Sequence, residues 1–192
     1  MTDHVAPVQA LLLVDVQTAF VSGAEAVPDA ARLLRHSRDL LDRARTSGAL
    51  VVHLQNDGPP GAADEPGTPG WELFLPVEDH GREVVVRKTE DDGFDGTALG
   101  ALLDRAGVRA VAVCGVMSEM CVAATARAAL ARGHRVVLPH DAHATYDIPA
   151  RPGVSDAVPA VTVSRVAEWS LGDEVEIPAH AADVPFSSAG HG

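Results

Sequence analysis

Lysine is almost missing from this chain: of 15 Lys+Arg residues, every one except Lys88 is arginine. Lys88 ends the apolar run Val84-Val85-Val86-Arg87-Lys88. A compact ammonium can be desolvated, shifted in pKa and aimed as a point charge, which a planar, permanently charged guanidinium cannot. Lys88 therefore reads as chemistry. Positive charge as a whole is scarce, because 27 Asp+Glu leave a formal net charge of -12 and no basic cluster forms. That balance argues against nucleic acid and anionic membranes as partners. No stretch approaches about 18 consecutive apolar residues, and Met1-Thr2-Asp3-His4 lacks a charged-then-apolar secretory leader. The expected setting is the cytoplasm. Cysteine is limited to Cys114 and Cys121, both expected as free thiols in a reducing compartment. Only Cys121, at the start of a helix rather than inside a strand, is placed to react.

With 192 residues and 46% hydrophobic content, the chain fits a single domain over 1–192. Its core is expected over about 8–177, with 178–192 a flexible or subunit-packing tail. Apolar runs at 8–14, 49–54, 83–88, 108–114, 134–138 and 174–177 read as six strands. Helices are expected between them, over about 28–47, 97–106, 118–132 and 159–171, with Thr97 and Ser118 as N-caps. Strands alternating with helices imply an α/β fold: a three-layer, doubly wound, mainly parallel six-stranded sheet with helices on both faces. The Gly-, Pro- and acid-rich stretch 55–82 is too long for a plain connection, and reads as a lid or substrate wall.

Three apolar runs each deliver one reactive group near a C-terminal end: Asp15, Lys88 and, just beyond Val111-Ala112-Val113-Cys114-Gly115, Cys121. Those ends share one edge of an open parallel sheet, where ligands bind. An acid, an amine and a thiol meeting there make an activated nucleophile, with Lys88 and the helix dipole expected to lower the thiol pKa. Aromatics are only 4% of the chain, so those in loops at this edge stand out. Gln17, Phe20, Trp71, Phe94 and Tyr146 are the expected substrate-binding residues, with Trp71 as a lid aromatic. A dinucleotide-binding reading fails, since Asp15-Val16-Gln17-Thr18-Ala19-Phe20 has no glycine-rich phosphate cradle.

Asp15-Val16-Gln17 with Phe20, Lys88 with Gly93-Phe94 and Thr97, and Gly115-Val116-Met117-Ser118-Glu119-Met120-Cys121-Val122 together resemble the isochorismatase-like cysteine hydrolases over nearly the whole chain. The wording around Met117 to Cys121 and His140 to Pro149 is similar to the streptothricin hydrolase-like branch. The resemblance implies Cys121 as nucleophile, Asp15 as general base and acid, and Lys88 as the group holding both. It also implies a cis peptide between Val116 and Met117, turning the Met117 N–H toward that of Cys121 to form an oxyanion hole. The implied reaction is hydrolysis of an amide-type C–N bond through a thioester, in a small-molecule substrate such as a primary amide, N-carbamoyl compound or cyclic lactam, by a dimer or tetramer of identical chains. Neither cofactor nor metal is implied. Nicotinamidases of the family add an Asp and two His after the second strand, whereas this chain reads His53-Leu54-Gln55-Asn56-Asp57 without the histidine pair. His53 is expected to meet a backbone partner, and His140-Asp141-Ala142-His143 looks like a metal-ligand set but, lying after the fifth strand, reads as a turn shaped by Asp141. Cleavage of a vinyl ether C–O bond, as in isochorismatases proper, and a non-catalytic family member are the alternatives; the cysteine favours C–N cleavage.

Overall fold

The computed structural model describes residues 5–78 and 81–188. The leader reading at Met1–His4 and the last residues of the tail, 189–192, lie outside the described residues. Among the described residues seven strands form, β1 (Ala10–Val14), β2 (Leu50–Asn56), β3 (Glu83–Lys88), β4 (Ala110–Val116), β5 (Arg135–Val137), β6 (His143–Ala144) and β7 (Val175–Glu176). The α-helices of the same residues are α1 (Thr18–Val21), α2 (Ala30–Ser47), α3 (Leu99–Arg105), α4 (Ala123–Ala131) and α5 (Ala160–Trp169). The sheet runs β3-β2-β1-β4-β5-β7, with β6 paired to β4, and these pairings are parallel. Strand order reverses between β1 and β4, so their C-terminal ends flank the switch-point crevice of a doubly wound sheet.

Burial explains why the central strands read as unbroken apolar runs: all five residues of β1 and all seven of β4 are buried, as parallel strands covered on both faces require. Side-chain alternation then sends Leu11 and Leu13 to one layer and Leu12 and Val14 to the other. The first layer packs on Leu33, Leu40 and Leu41 of α2, the second on Leu99 and Leu103 of α3 and Ala126 and Ala129 of α4. In α2 the buried positions 33, 34, 37, 40, 41 and 44 make a single stripe. Gly48 ends that helix in the left-handed region at φ 71°, its N–H returning to Ala44 O and Arg45 O.

Three expectations are corrected. The sheet has a seventh strand, two-residue β6, too short to leave a pattern in the sequence. The helix expected over 118–132 is broken: Ser118–Val122 is a wide π-type turn with Met120 at φ -106°, ψ -108°, and the α-helix begins at Ala123. Finally, residues 178–188 are not a free tail. Ala181 and Val184 are fully buried, Arg43 donates to Ala181 O at 2.5 Å and Val184 O at 2.6 Å, and Val8 N donates to Pro185 O while Ser187 N donates to Val8 O. The segment docks on its own chain by burying these apolar side chains and offering its carbonyls to Arg43 of α2.

Candidate active site

The C-terminal ends of β1, β3 and β4 bring Asp15, Lys88 and Cys121 together. Lys88 Nζ lies 2.9 Å from Asp15 Oδ2 and 3.4 Å from Cys121 Sγ. Asp15 and Lys88 are 2% and 3% exposed, whereas Cys121 is half-buried, so the sulfur is the member open to a ligand. Two further contacts aim the ammonium, Asn56 Oδ1 at 3.4 Å and Glu90 O at 3.2 Å. Asp15 Oδ1 is buried without a hydrogen-bond partner. An ionised oxygen left that way is costly.

Local backbone fixes these positions. Asp15 follows β1 at φ 51°, a left-handed conformation that Asp tolerates better than most residues but that still costs on the order of 1–3 kcal/mol. Gly115, at φ 126°, lies so close to β1 that a Cβ there would sit 2.0 Å from Val14 O, so no side chain fits. The next bond, Val116–Met117, is cis. Met117 O then accepts the N–H groups of Met120 (3.1 Å) and Val122 (3.2 Å), wrapping the turn that carries Cys121 around the residue after the cis bond.

Burial sets the protonation states. It pushes the Asp15 carboxyl above its ordinary value, and the Lys88 charge opposes this without cancelling it. Burial alone would lower the Lys88 pKa, but Asp15 and the nearby sulfur outweigh it and keep the ammonium charged. The Cys121 thiol is pushed up, first by burial and then by the Asp15 carboxylate, against the pull of Lys88. The expected low thiol pKa is thereby corrected. Asp91 Oδ1 also lies 3.4 Å from Sγ and adds to the upward push on the thiol, and the kink at Met120 keeps Cys121 out of a regular first helical turn. These shifts favour a protonated thiol beside the Lys88 ammonium. Cys114, fully buried in β4, has its thiol pushed up to about 12 by burial and is inert.

The expected substrate-binding residues divide. Gln17 is fully buried, its Nε2 donating to Asn56 O and Trp71 O and its Oε1 accepting from Asn56 N. It is a clasp that positions Asn56 against Lys88. Phe94 turns into the core, stacking on His134 with Arg132 4.4 Å from its ring centroid. Both readings of these residues as pocket walls are corrected. Trp71 is half-buried, held by Asp57 through Nε1 at 2.9 Å and by Arg87 5.1 Å above its ring. Tyr146 donates to Glu25 O at 2.7 Å, and Phe20 packs partly buried on the α2 layer. Residues 70–74 of the long stretch are stitched to 16–19, through Thr18 N to Glu72 O, Ala19 N to Gly70 O and Phe74 N to Val16 O. That part is tied down as a wall. A cleft of about 320 Å³ opens beside Lys88, bordered by Asp57, Arg87, Glu90, Asp95 and Thr97.

His53 meets a side chain, not the expected backbone group: Glu83 Oε1 at 2.7 Å, where Glu83 also holds Arg45 with two contacts of 2.8 Å. Asp141 does shape its turn, accepting Ala181 N at 2.7 Å. Sequence reasoning missed Asn56, Asp91 and the Ser118–His143 contact of 2.8 Å. Asn56 is the last residue of β2 and Asp91 stands three residues after Lys88, and those positions are the only signal available. The third joins residues 25 apart, with no signal at all.

The isochorismatase domain model matches residues 9–162. Two streptothricin hydrolases of Streptomyces noursei are 76% and 77% identical to the chain, over 95% and 93% of its length and 73% and 65% of theirs. An isochorismatase structure from Pseudomonas putida KT2440 superposes with a TM-score of 0.83 at 26% identity, covering 94% of this chain and 92% of that one.

Proposed function

This chain belongs to the isochorismatase family, and from that membership we propose that it hydrolyses an amide-type C–N bond with Cys121 as nucleophile. The observation that carries the reading is the contact of one buried ammonium with both a buried carboxylate and a half-buried thiol. Asp15, raised in pKa and holding one unpartnered oxygen, accepts the thiol proton as sulfur attacks the carbonyl carbon. The Met117 and Cys121 N–H groups take the developing oxyanion. Collapse breaks the C–N bond, with Asp15 returning the proton to the leaving nitrogen. Water then adds to the thioester, giving its proton to Asp15, and the acid departs as the thiol reforms. Lys88 holds Asp15 and Sγ in register throughout and keeps the centre neutral overall.

The identity to streptothricin hydrolases supports a cyclic lactam of the streptothricin kind as the first substrate to offer, followed by primary amides and N-carbamoyl compounds. We place the reaction in the cytoplasm, where two free thiols persist, in a dimer or tetramer of identical chains that light scattering would count. In the decisive experiment wild type and Cys121→Ala are compared on that panel with products identified by mass. The expected outcome is cleavage by wild type and a loss of at least about 1,000-fold in the variant. Equal activity of the variant would remove the thiol mechanism, and no cleavage of any panel member by wild type would favour C–O cleavage or a non-catalytic role.

A further inference from the structure

Outside the Cys121 centre, His140, His143 and Glu168 gather three metal-type donor atoms. His140 Nδ1 lies 2.5 Å and His143 Nε2 3.0 Å from the same Glu168 Oε1, and the three donors fall within 4.8 Å of one another. Glu168 and His143 are 2% and 0% exposed, while the His140 side chain is 41% exposed. The cluster is closed on the protein side and open to solvent through one ring. Two imidazoles and a carboxylate are the donor set of open, zinc-type sites, which complete their shell with water.

The surroundings suit that use. The second nitrogen of His143, Nδ1, is 2.8 Å from Ser118 Oγ, which is itself 3.0 Å from Ser164 Oγ; such an outer partner fixes ring orientation and tautomer. Arg165 touches only the other carboxylate oxygen, Oε2, at 3.3 Å, and is 57% exposed, so solvent screens its charge. Asp141, between the two histidines in sequence, is committed to Ala181 N.

We propose that His140 Nδ1, His143 Nε2 and Glu168 Oε1 form a binding site for a divalent ion of the zinc class, separate from the hydrolytic centre. Loading shifts the His143 proton from Nε2 to Nδ1, where it is donated to Ser118 Oγ, and the His140 proton to Nε2, facing solvent. The contacts of both rings with Glu168 lengthen to admit the ion, and the His140 side chain, 41% exposed, has room to give way. The site ties α5 to Ser118, the first residue of the turn that carries Cys121.

The test is titration of the chelator-treated full chain with Zn²⁺ alone by calorimetry, with Co²⁺ absorption as a spectroscopic check and thermal unfolding in parallel. One ion per chain is expected, with a Tm that rises with zinc. Both effects should weaken at least tenfold in apparent affinity in His140→Ala, a half-exposed position whose change the fold tolerates, and in Glu168→Gln. His36→Ala, His180→Ala and Cys121→Ala should bind as wild type does. No saturable binding, or binding unchanged in His140→Ala, overturns the proposal as adventitious zinc on exposed histidines. Binding lost with Cys121 overturns it by moving the ion to the hydrolytic centre. None of these readouts uses a substrate.

Discussion

Among single residues, the solitary lysine is the sharpest constraint. Lys88 Nζ serves Asp15, Asn56, Glu90 O and Cys121 from one point, a task for a compact charge with three rotatable protons. Lys88→Arg should therefore retain the fold by circular dichroism yet lower kcat by at least about 100-fold, because a planar fork misplaces the thiol and carboxylate. The pH profile follows from Asp15. Its carboxyl must be ionised to accept the thiol proton, and burial raises its pKa, so kcat/KM should fall as pH drops through a value above the ordinary carboxylate range. A limb at or below pH 4, the ordinary carboxylate value, would remove Asp15 from the base role. Asp15 and Lys88 were legible in the sequence because each closes an apolar run, and Cys121 because it lies shortly beyond one. What their neighbours do to them was not: the thiol pKa depends on Asp91 and on burial, neither of which a linear pattern reports. Gln17 and Phe94 misled for a related reason, since sequence places a residue in a loop without giving its side-chain direction.

Elements are bound to one another by a few buried polar contacts as well as by the two apolar layers. Glu83, at the start of β3, is buried against His53 of β2 and Arg45 of α2. Those two partners hold its pKa down against the opposing effect of burial. Glu83→Ala leaves a nearly buried guanidinium and a buried imidazole without that carboxylate, and should cost about 3–5 kcal/mol, measurable in urea as a lower midpoint at unchanged slope. A cost under about 1 kcal/mol would show that solvent or another acid replaces it. Strands β1 to β4 were readable as continuous apolar runs and α2 as a stripe. The break between Ser118–Val122 and α4 was not, because the alanines after Cys121 continue a good helical pattern and hide the kink at Met120. Thr97 shows how caps blur: its hydroxyl does accept Leu99 N at 3.2 Å, although the helix begins two residues later.

At the scale of the whole molecule the segment before β1 and the segment 181–187 meet at the foot of the sheet. Residues 185–187 bond to Val8 just ahead of β1, and Arg43 fastens 181–184 to α2, at the opposite end of the strands from Asp15 and Cys121. Truncation after Pro178 should cost about 3 kcal/mol through the loss of buried Val184 and the Arg43 bonds, while the Km and kcat of folded protein stay close to wild type. A truncated chain as stable as the full one would mean that the strap contributes no net stability. The doubly wound class was legible from alternation alone, but the strap was not, being small and polar in composition and held through its backbone. The rarity of lysine has one more consequence, for anyone who labels the protein. An amine-directed acylating reagent meets, besides the terminal amine, only Lys88, which is 3% exposed and paired to Asp15. Its acylation is therefore a clock for opening of the hydrolytic centre, and an endoproteinase specific for lysine cuts the denatured chain once, into two fragments that mass spectrometry can count.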